Sequence, residues 1–310
     1  MGEDGKTVAK GGKATAPERV TAATKSKACA AIFFDIDGTL LVPGRDFNKE
    51  QKEREAAGGV LPKPATPRRR PEPSLAVRAA FDELHRRGHL AFICTGRPKG
   101  FLQQSLLDLQ PDGFVCLAGA YVEVKGEVLR QERIPHDLLQ AVAALALEAG
   151  LDVDYESDAG SVSIYPVHEP IWDDEPFGRS VETLMEYEKR LGGFSKFCLR
   201  GNQSERLAPV LPQLLERFDT ADMGQGIREF TLKGMNKKTG IDLVLAHLNH
   251  GRELTFAFGD SENDLPMADA VETFVAMGNA FDHVKAEAAY VTDSVYDDGV
   301  ATGLAHFDLI

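Results

Sequence analysis

The stretch Ala31-Ile-Phe-Phe-Asp35-Ile36-Asp37-Gly38-Thr39-Leu40-Leu41 decides how the rest of the chain is read. Four apolar residues run straight into Asp35, as in a strand buried on both faces. Past Asp35 the pattern breaks, and Gly38 allows a sharp turn. Asp35 and Asp37 are two apart, so in extended backbone both side chains lean to the same side. Two carboxylates at the end of a buried strand are costly unless positive charge sits between them. A hard divalent cation such as Mg²⁺ would satisfy both. A plain turn, in which Asp and Gly merely leave a strand, fits these residues as well. The remainder of the chain separates the two readings.

Downstream, two more apolar runs end in polar residues of defined type. Leu90 to Cys94 leads into Thr95-Gly96-Arg97-Pro98, and Leu254 to Phe258 leads into Gly259-Asp260-Ser-Glu-Asn263-Asp264. In an open parallel sheet, ligands bind at the carboxyl ends of the strands. Three strand ends with this chemistry tell more than any one of them. Each has a plain alternative: Thr95-Gly96 as a helix cap, and Asn263-Asp264 as solvated capping residues.

Between these motifs strand and helix alternate, which predicts an α/β fold with a parallel sheet. Ser74 caps a helix on which Leu75, Ala79 and Leu84 recur, ending at Gly88. A second helix is expected to run to about Leu109, then a strand Phe114 to Leu117. Tyr121 to Ile134 reads as a hairpin around Lys125-Gly126. From about Pro135 the texture changes to α+β, with helices Leu138 to Ala149 and Leu207 to Phe218. The same segment holds strand-like runs at Ser161 to Tyr165, Lys196 to Arg200 and Glu229 to Leu232. This points to a second, smaller domain inserted into the first. The expected division is 1–28 as a disordered tail, 29–134 and 234–310 as one core, and 135–233 as the inserted unit. Residues 44–73, with Gly58-Gly59, five prolines from Pro62 to Pro73 and Arg68-Arg69-Arg70, read as a flexible insertion placed where a lid could act.

Composition narrows the function. With 43% hydrophobic and 27% charged residues, the 310-residue chain is of ordinary globular make-up. No apolar run reaches the ~18 residues of a membrane span, and no secretory signal opens the chain, so a cytoplasmic protein is expected. The net charge is −13. Residues 1–28 carry six Lys/Arg against three Asp/Glu, and residues 44–73 carry eight against five. The rest, with 21 basic and 40 acidic residues, stands near −19. A body that acidic is a poor partner for nucleic acid. The four cysteines are scattered, without zinc spacing, and Cys94 and Cys116 read as small buried hydrophobes.

Taken together, the motifs resemble those of the haloacid dehalogenase-like phosphatase superfamily, in its Cof-type branch with a large α+β cap (type IIB). The matching residues are Asp35-Ile-Asp37-Gly38-Thr39, Thr95-Gly96-Arg97, Lys237 in Gly234-Met-Asn-Lys-Lys, and Gly259-Asp260-Ser-Glu-Asn263-Asp264. Ala276-Met-Gly-Asn-Ala280, Tyr290-Val-Thr292 and Asp298-Gly299-Val300-Ala301 echo it further. Two positions depart from the branch: Ala118-Gly119-Ala120 stands where Asn-Gly-Ala is common, and Lys238 where Gly often follows the lysine.

The resemblance implies a Rossmann-like parallel-sheet core with an inserted α+β cap, and a mechanism that is chemically coherent. Asp35 would attack phosphorus to form an aspartyl-phosphate, and Asp37 would act as general acid and then base. Mg²⁺ would be held by Asp35, the backbone carbonyl of Asp37 and Asp260, with Asp264 in the outer shell. Thr95, Gly96 and Lys237 would bind the phosphoryl oxygens, and Asn263 would orient the phosphate or Asp35. Arg97 would anchor the loop. The implied substrate is a small phosphorylated metabolite, a sugar phosphate or a cofactor precursor. The alternatives are a phosphotransferase or mutase using the same aspartyl-phosphate, and a non-catalytic binding protein on the same fold. Free phosphate as product separates the first alternative, and an acid/base at Asp37 argues against the second.

Overall fold

The structure is a computed structural model that describes residues 29–43, 71–168, 176–223 and 226–310. The expected tail and most of the expected 44–73 insertion lie outside these residues. Five strands come first: β1 Ala31–Phe34, β2 Leu90–Cys94, β3 Gly113–Cys116, β4 Tyr121–Val124 and β5 Glu127–Gln131. Six follow in the middle of the chain: β6 Val153–Ser157, β7 Gly160–Ile164, β8 Phe177–Gly178, β9 Lys196–Arg200, β10 Phe218–Asp222 and β11 Ile227–Leu232. The last three are β12 Thr255–Gly259, β13 Thr273–Ala276 and β14 Tyr290–Val291.

Among the described residues these strands form two sheets. The first has the order β14-β13-β12-β1-β2-β3-β4-β5. It is parallel from β14 to β3 and closes with an antiparallel hairpin at β4 and β5. The hairpin turns on Lys125 and Gly126, both at positive φ, the conformation that matches strand twist in a two-residue turn. Successive residues of β1 point to opposite faces, and each face is covered. Ile32 and Phe34 pack with Phe81, Leu84, Phe258 and Leu304 on one side. Ala31 and Phe33 pack with Phe92, Ile241, Val244 and Met267 on the other. Burial on both faces explains why β1 reads as an unbroken apolar run.

The second sheet has the order β10-β11-β9-β6-β7-β8. One of its faces is apolar: Val153, Tyr155, Phe197, Leu199 and Phe230 join Leu139, Val142 and Leu184 from flanking helices. The alternate residues, Asp154, Glu156, Lys196, Cys198, Glu229 and Thr231, face the opposite way and are also buried. A sheet with one packed and one polar face usually shows the polar one to water. Here the first sheet's loops cover it: the Gly100 N–H donates to the Asp158 carbonyl at 2.9 Å, and Glu262 Oε2 accepts from the Asp222 N–H at 3.0 Å.

Four local expectations change. The helix Leu75–Arg87 is capped by Ser74 and ended by Gly88 at φ +81° as read. Its buried stripe is Val77, Ala80, Phe81 and Leu84, while Leu75 and Ala79 face solvent. The expected helix to Leu109 is a 3-10 turn Lys99–Phe101 and a short helix Gln104–Leu107. Between them Leu102 and Gln103 are extended, at ψ 122° and 153°. The expected helix Leu207 to Phe218 is two single-turn helices, Ser204–Leu207 and Leu211–Leu214, and Phe218 opens β10. Pro212 cannot donate the hydrogen bond a continuous helix would need there. Pro71 to Pro73, placed in the flexible insertion, are anchored: the Pro71 carbonyl accepts from Gln103 Nε2 and the Pro73 carbonyl from Arg78 Nε.

Candidate active site

β12, β1 and β2 lie side by side, so Asp260, Asp35 and Thr95 follow the carboxyl ends of three adjacent parallel strands. Asp35 is 5% exposed and Thr95 1%. The helix Lys237–His247 starts above them. Asn236 caps it with a reciprocal capping box to Thr239, which fixes Lys237 as its first residue. Lys237 is wholly buried and donates to Asp35 Oδ1 at 2.6 Å and to Asp264 Oδ1 at 2.5 Å. Lys238, one residue on, points away and pairs with Asp242 on the helix surface.

Carboxylate oxygens of Asp35, Asp260 and Asp264 lie within 4.8 Å of one another. Asp264 also closes the loop after β12, where its Oδ2 accepts from the backbone N–H of Asp260 at 2.9 Å and of Ser261 at 3.0 Å. Among the described residues, Asp260 Oδ1 is buried without a hydrogen-bond partner. Gly38 turns at φ +90°, and a Cβ there would collide with the Asp260 carboxylate. Asn279 Nδ2 donates to the Gly38 carbonyl at 2.9 Å and holds that turn in place. An orphaned carboxylate oxygen, two further carboxylates and a space kept open by glycine fit a hard, oxygen-seeking divalent cation.

The electrostatics agree with that fit. Burial raises the Asp35 carboxyl to about 7; Asp264 and Asp37 add to the rise and Lys237 opposes it. Burial, with Asp264 and Asp35 beside it, raises Asp260 to about 9. Burial alone would lower Lys237, but Asp264 and Asp35 outweigh it and the ammonium is raised. The cluster is short of positive charge.

The Asp37 carboxylate stands outside this cluster. Arg97 grips it with both prongs of its fork, Nε to Oδ2 at 2.7 Å and Nη2 to Oδ1 at 2.5 Å. Arg97 is itself set by its backbone N–H on Thr95 Oγ1 at 3.1 Å. Thus Thr95 and Arg97 tie the loop after β2 to the turn after β1. Asn263 is 7% exposed; its Oδ1 accepts from Ser261 Oγ, and its Nδ2 is buried without a partner among the described residues. A Cβ on Gly96 would lie 3.6 Å from that Nδ2, which puts Gly96 and Asn263 together at the rim.

Asp35, Asp260, Asp264 and Lys237 therefore form one knot, with Thr95, Gly96 and Asn263 bordering it. Two residues not foreseen also meet the site. Lys196 and Glu229 of the second sheet form a buried ion pair against Gly96. Their only sequence signal was a charged residue alternating with apolar ones, which reads as a solvent face.

A carboxylate-and-lysine knot at parallel strand ends, under a second α+β sheet, defines a capped phosphohydrolase. The family model described as haloacid dehalogenase-like hydrolase matches residues 69–304, and the chain belongs to that family as a phosphatase. A solved subclass IIB sugar phosphatase, BT4131, is 28% identical, with a TM-score of 0.71 over 91% of this chain and 100% of that one. YkrA of Bacillus subtilis (strain 168), provisionally named a phosphatase, is 27% identical over 90% of this chain and 98% of its own length. A more local likeness, 41% identity over 81 residues, links the chain to YcsE of the same organism. YcsE is named a 5-amino-6-(5-phospho-D-ribitylamino)uracil phosphatase, and the match covers 26% of this chain and 32% of that protein.

Proposed function

We propose that the chain hydrolyses a small phosphorylated metabolite, a sugar phosphate or a cofactor precursor, with Mg²⁺ and through an aspartyl-phosphate. The observation that carries this is the Lys237 ammonium bridging Asp35 and Asp264 beside the orphaned Asp260 oxygen. Asp35, Asp260 and the Asp37 carbonyl would hold the cation, with Asp264 supporting from behind. Once bound, the cation neutralises phosphoryl oxygens and aligns the group for in-line attack.

Asp35 is the nucleophile: it follows β1 directly, its oxygen is held at a fixed point by Lys237, and covalent capture divides one hard displacement into two easier ones. Asp37, once one of its oxygens exchanges the Arg97 fork for a proton, protonates the leaving oxygen and later takes the proton of the attacking water. Arg97 aims that carboxylate. Lys237, Thr95, the Gly96 N–H and the free Asn263 Nδ2 receive the phosphoryl oxygens as charge builds on them. The residues of 135–233 act as the cap that closes over the leaving group. Likeness to BT4131 supports the sugar phosphate, and the local likeness to YcsE the cofactor precursor.

The test is phosphate release from a panel of phosphorylated metabolites, with Mg²⁺ and with excess chelator, for wild type and Asp35→Asn. Release that needs Mg²⁺ and is abolished by Asp35→Asn is expected. Undiminished activity in chelator would sink the metal role. Hydrolysis by Asp35→Asn within about tenfold of wild type would sink the covalent one.

A further inference from the structure

The strand ends described above belong to β12, β1 and β2, and β3 comes next in the same sheet. The chain leaves β3 through a turn that is left-handed at three consecutive residues: Leu117 at φ +53°, Ala118 at +51° and Gly119 at +91°. Leu117 and Ala118 are both buried. Neither residue type favours that region, because Cβ crowds the following carbonyl there. Strain of this kind persists where the surroundings impose it, and it gathers at functional sites.

The hydrogen bonds show what the turn holds. In a strand, successive N–H groups point to opposite sides. Here the N–H groups of Leu117 and Ala118 both reach the loop after β2, donating to the carbonyls of Arg97 and Thr95, each at 3.1 Å. Gly119 packs against the start of the helix that carries Lys237. A Cβ on Gly119 would lie 2.2 Å from the Asn236 carbonyl oxygen, and one on Gly240 would lie 3.2 Å from the Gly119 Cα. Arg130, on β5, closes this contact. Its Nη1 donates to the Gly119 carbonyl at 3.2 Å, and to the Thr239 carbonyl and Oγ1, both at 3.3 Å. Thr239 is the residue that completes the capping box with Asn236.

We infer that Arg130 and the turn Leu117, Ala118 and Gly119 are positioning residues, which set the separation between the Thr95–Arg97 loop and the Lys237 ammonium. This rests on the phosphatase reading above, in which loop and ammonium receive oxygens of one phosphoryl group. Such a group has fixed dimensions, so its receivers must be held at one spacing, although they come from segments far apart in the chain. Lys237 is the first residue of its helix, where helices fray. The turn and the Arg130 guanidinium bracket that first turn of helix against the loop. The left-handed backbone at Leu117 and Ala118 is what aims two successive N–H groups at the same loop.

The experiment measures kcat and KM for p-nitrophenyl phosphate in wild type, Arg130→Met, Arg130→Lys and Lys237→Ala, and in the double variant Arg130→Met with Lys237→Ala. Arg130→Met removes the donors and keeps much of the side chain's bulk. It should lower kcat about tenfold and leave KM within about twofold, as a small misplacement of a transition-state contact does. Arg130→Lys returns N–H donors and should recover kcat to within about threefold of wild type. In the Lys237→Ala background, Arg130→Met should change kcat less than about twofold, because the group it positions is gone. Gly119→Ala should lower kcat at least as far as Arg130→Met; should it fail to fold, the Arg130 series decides alone. Amide hydrogen exchange reads the helix start without activity. The Gly240 N–H, which donates to the Asn236 carbonyl at 3.3 Å, should exchange about tenfold faster in Arg130→Met. Thermal unfolding of each variant confirms that folded protein is compared. An equal loss of kcat in both backgrounds overturns the inference, as does an Arg130→Met that spares kcat or leaves exchange at Gly240 unchanged. These failures leave the phosphatase reading standing. A wild type that releases no phosphate from the probe overturns that reading, and the inference with it.

Discussion

Lys237 ties two carboxylates of the cluster together through one side chain. Its ammonium is wholly buried and touches two carboxylates, whereas Lys238 is half-buried and pairs with Asp242. Adjacent helical residues point about 100° apart, so the two cannot serve the same oxygen. Lys237→Ala should lower turnover about a hundredfold, the scale of losing one electrostatic contact to the transition state. Lys238→Ala should cost less than about threefold, the scale of a surface pair. Steady-state kinetics of both variants decide the matter, and a larger loss at Lys238 would contradict the assignment. Arg97 is instructive in the same way. In sequence it is only the third residue of Thr95-Gly96-Arg97, and nothing local says that its fork closes on Asp37. That contact exists because β1 and β2 are neighbours, a relation no spacing within either strand reveals.

At the scale of elements, the helix Lys237–His247 shows how a cap can set a site. Asn236 and Thr239 satisfy each other's backbone groups and so determine which residue begins the helix. Asn236→Ala should cost about 1 kcal/mol of stability, the usual value of an N-cap. It should also lower turnover, since the first helical turn frays and Lys237 loses its fixed origin. Thermal unfolding and kcat, measured together, test this; a stability loss with unchanged kcat would mean that packing alone holds Lys237. The Ser74 cap, the hairpin at Lys125-Gly126 and the three strand ends were legible because their residues carry the signal locally. The single-turn helices near Gln104 and Leu211 were not. Their apolar spacing fits a helix, and what interrupts it is Pro212 in one case and extended backbone at Leu102 and Gln103 in the other. Lys196 and Glu229 escaped notice for a related reason: a strand's period assigns residues to a face but does not say what covers that face.

For the molecule as a whole, the raised carboxyls tie stability to metal and pH. Asp35 and Asp260 titrate in the folded chain at about 7 and about 9, against an ordinary value of 3.8. A raised folded pKa gives stability that is complete below the unfolded value and is lost as pH rises through the folded one. Without metal, the protein should therefore lose stability between about pH 4 and pH 9 from this cluster. A divalent cation held there would bind the ionised form and restore it. Mg²⁺ should raise the midpoint of thermal unfolding more at pH 8 than at pH 5. Equal shifts at both pH values, or none, would separate the cluster from metal binding.

The place of β1 between β2 and β12 carries a consequence for how the chain is made. Ala31 pairs with Leu90 on one side and with Thr255 on the other. During synthesis the first partner arrives early, while the second waits until the whole of the second sheet has emerged. For that interval one side of β1 is an open edge of Ala-Ile-Phe-Phe, the kind of apolar strand that pairs with other chains when left uncovered. Such distant pairing is slow because chain entropy is lost before the contact repays it. A nascent chain of this protein thus depends on its last quarter for solubility as well as for Lys237, Asp260 and Asp264.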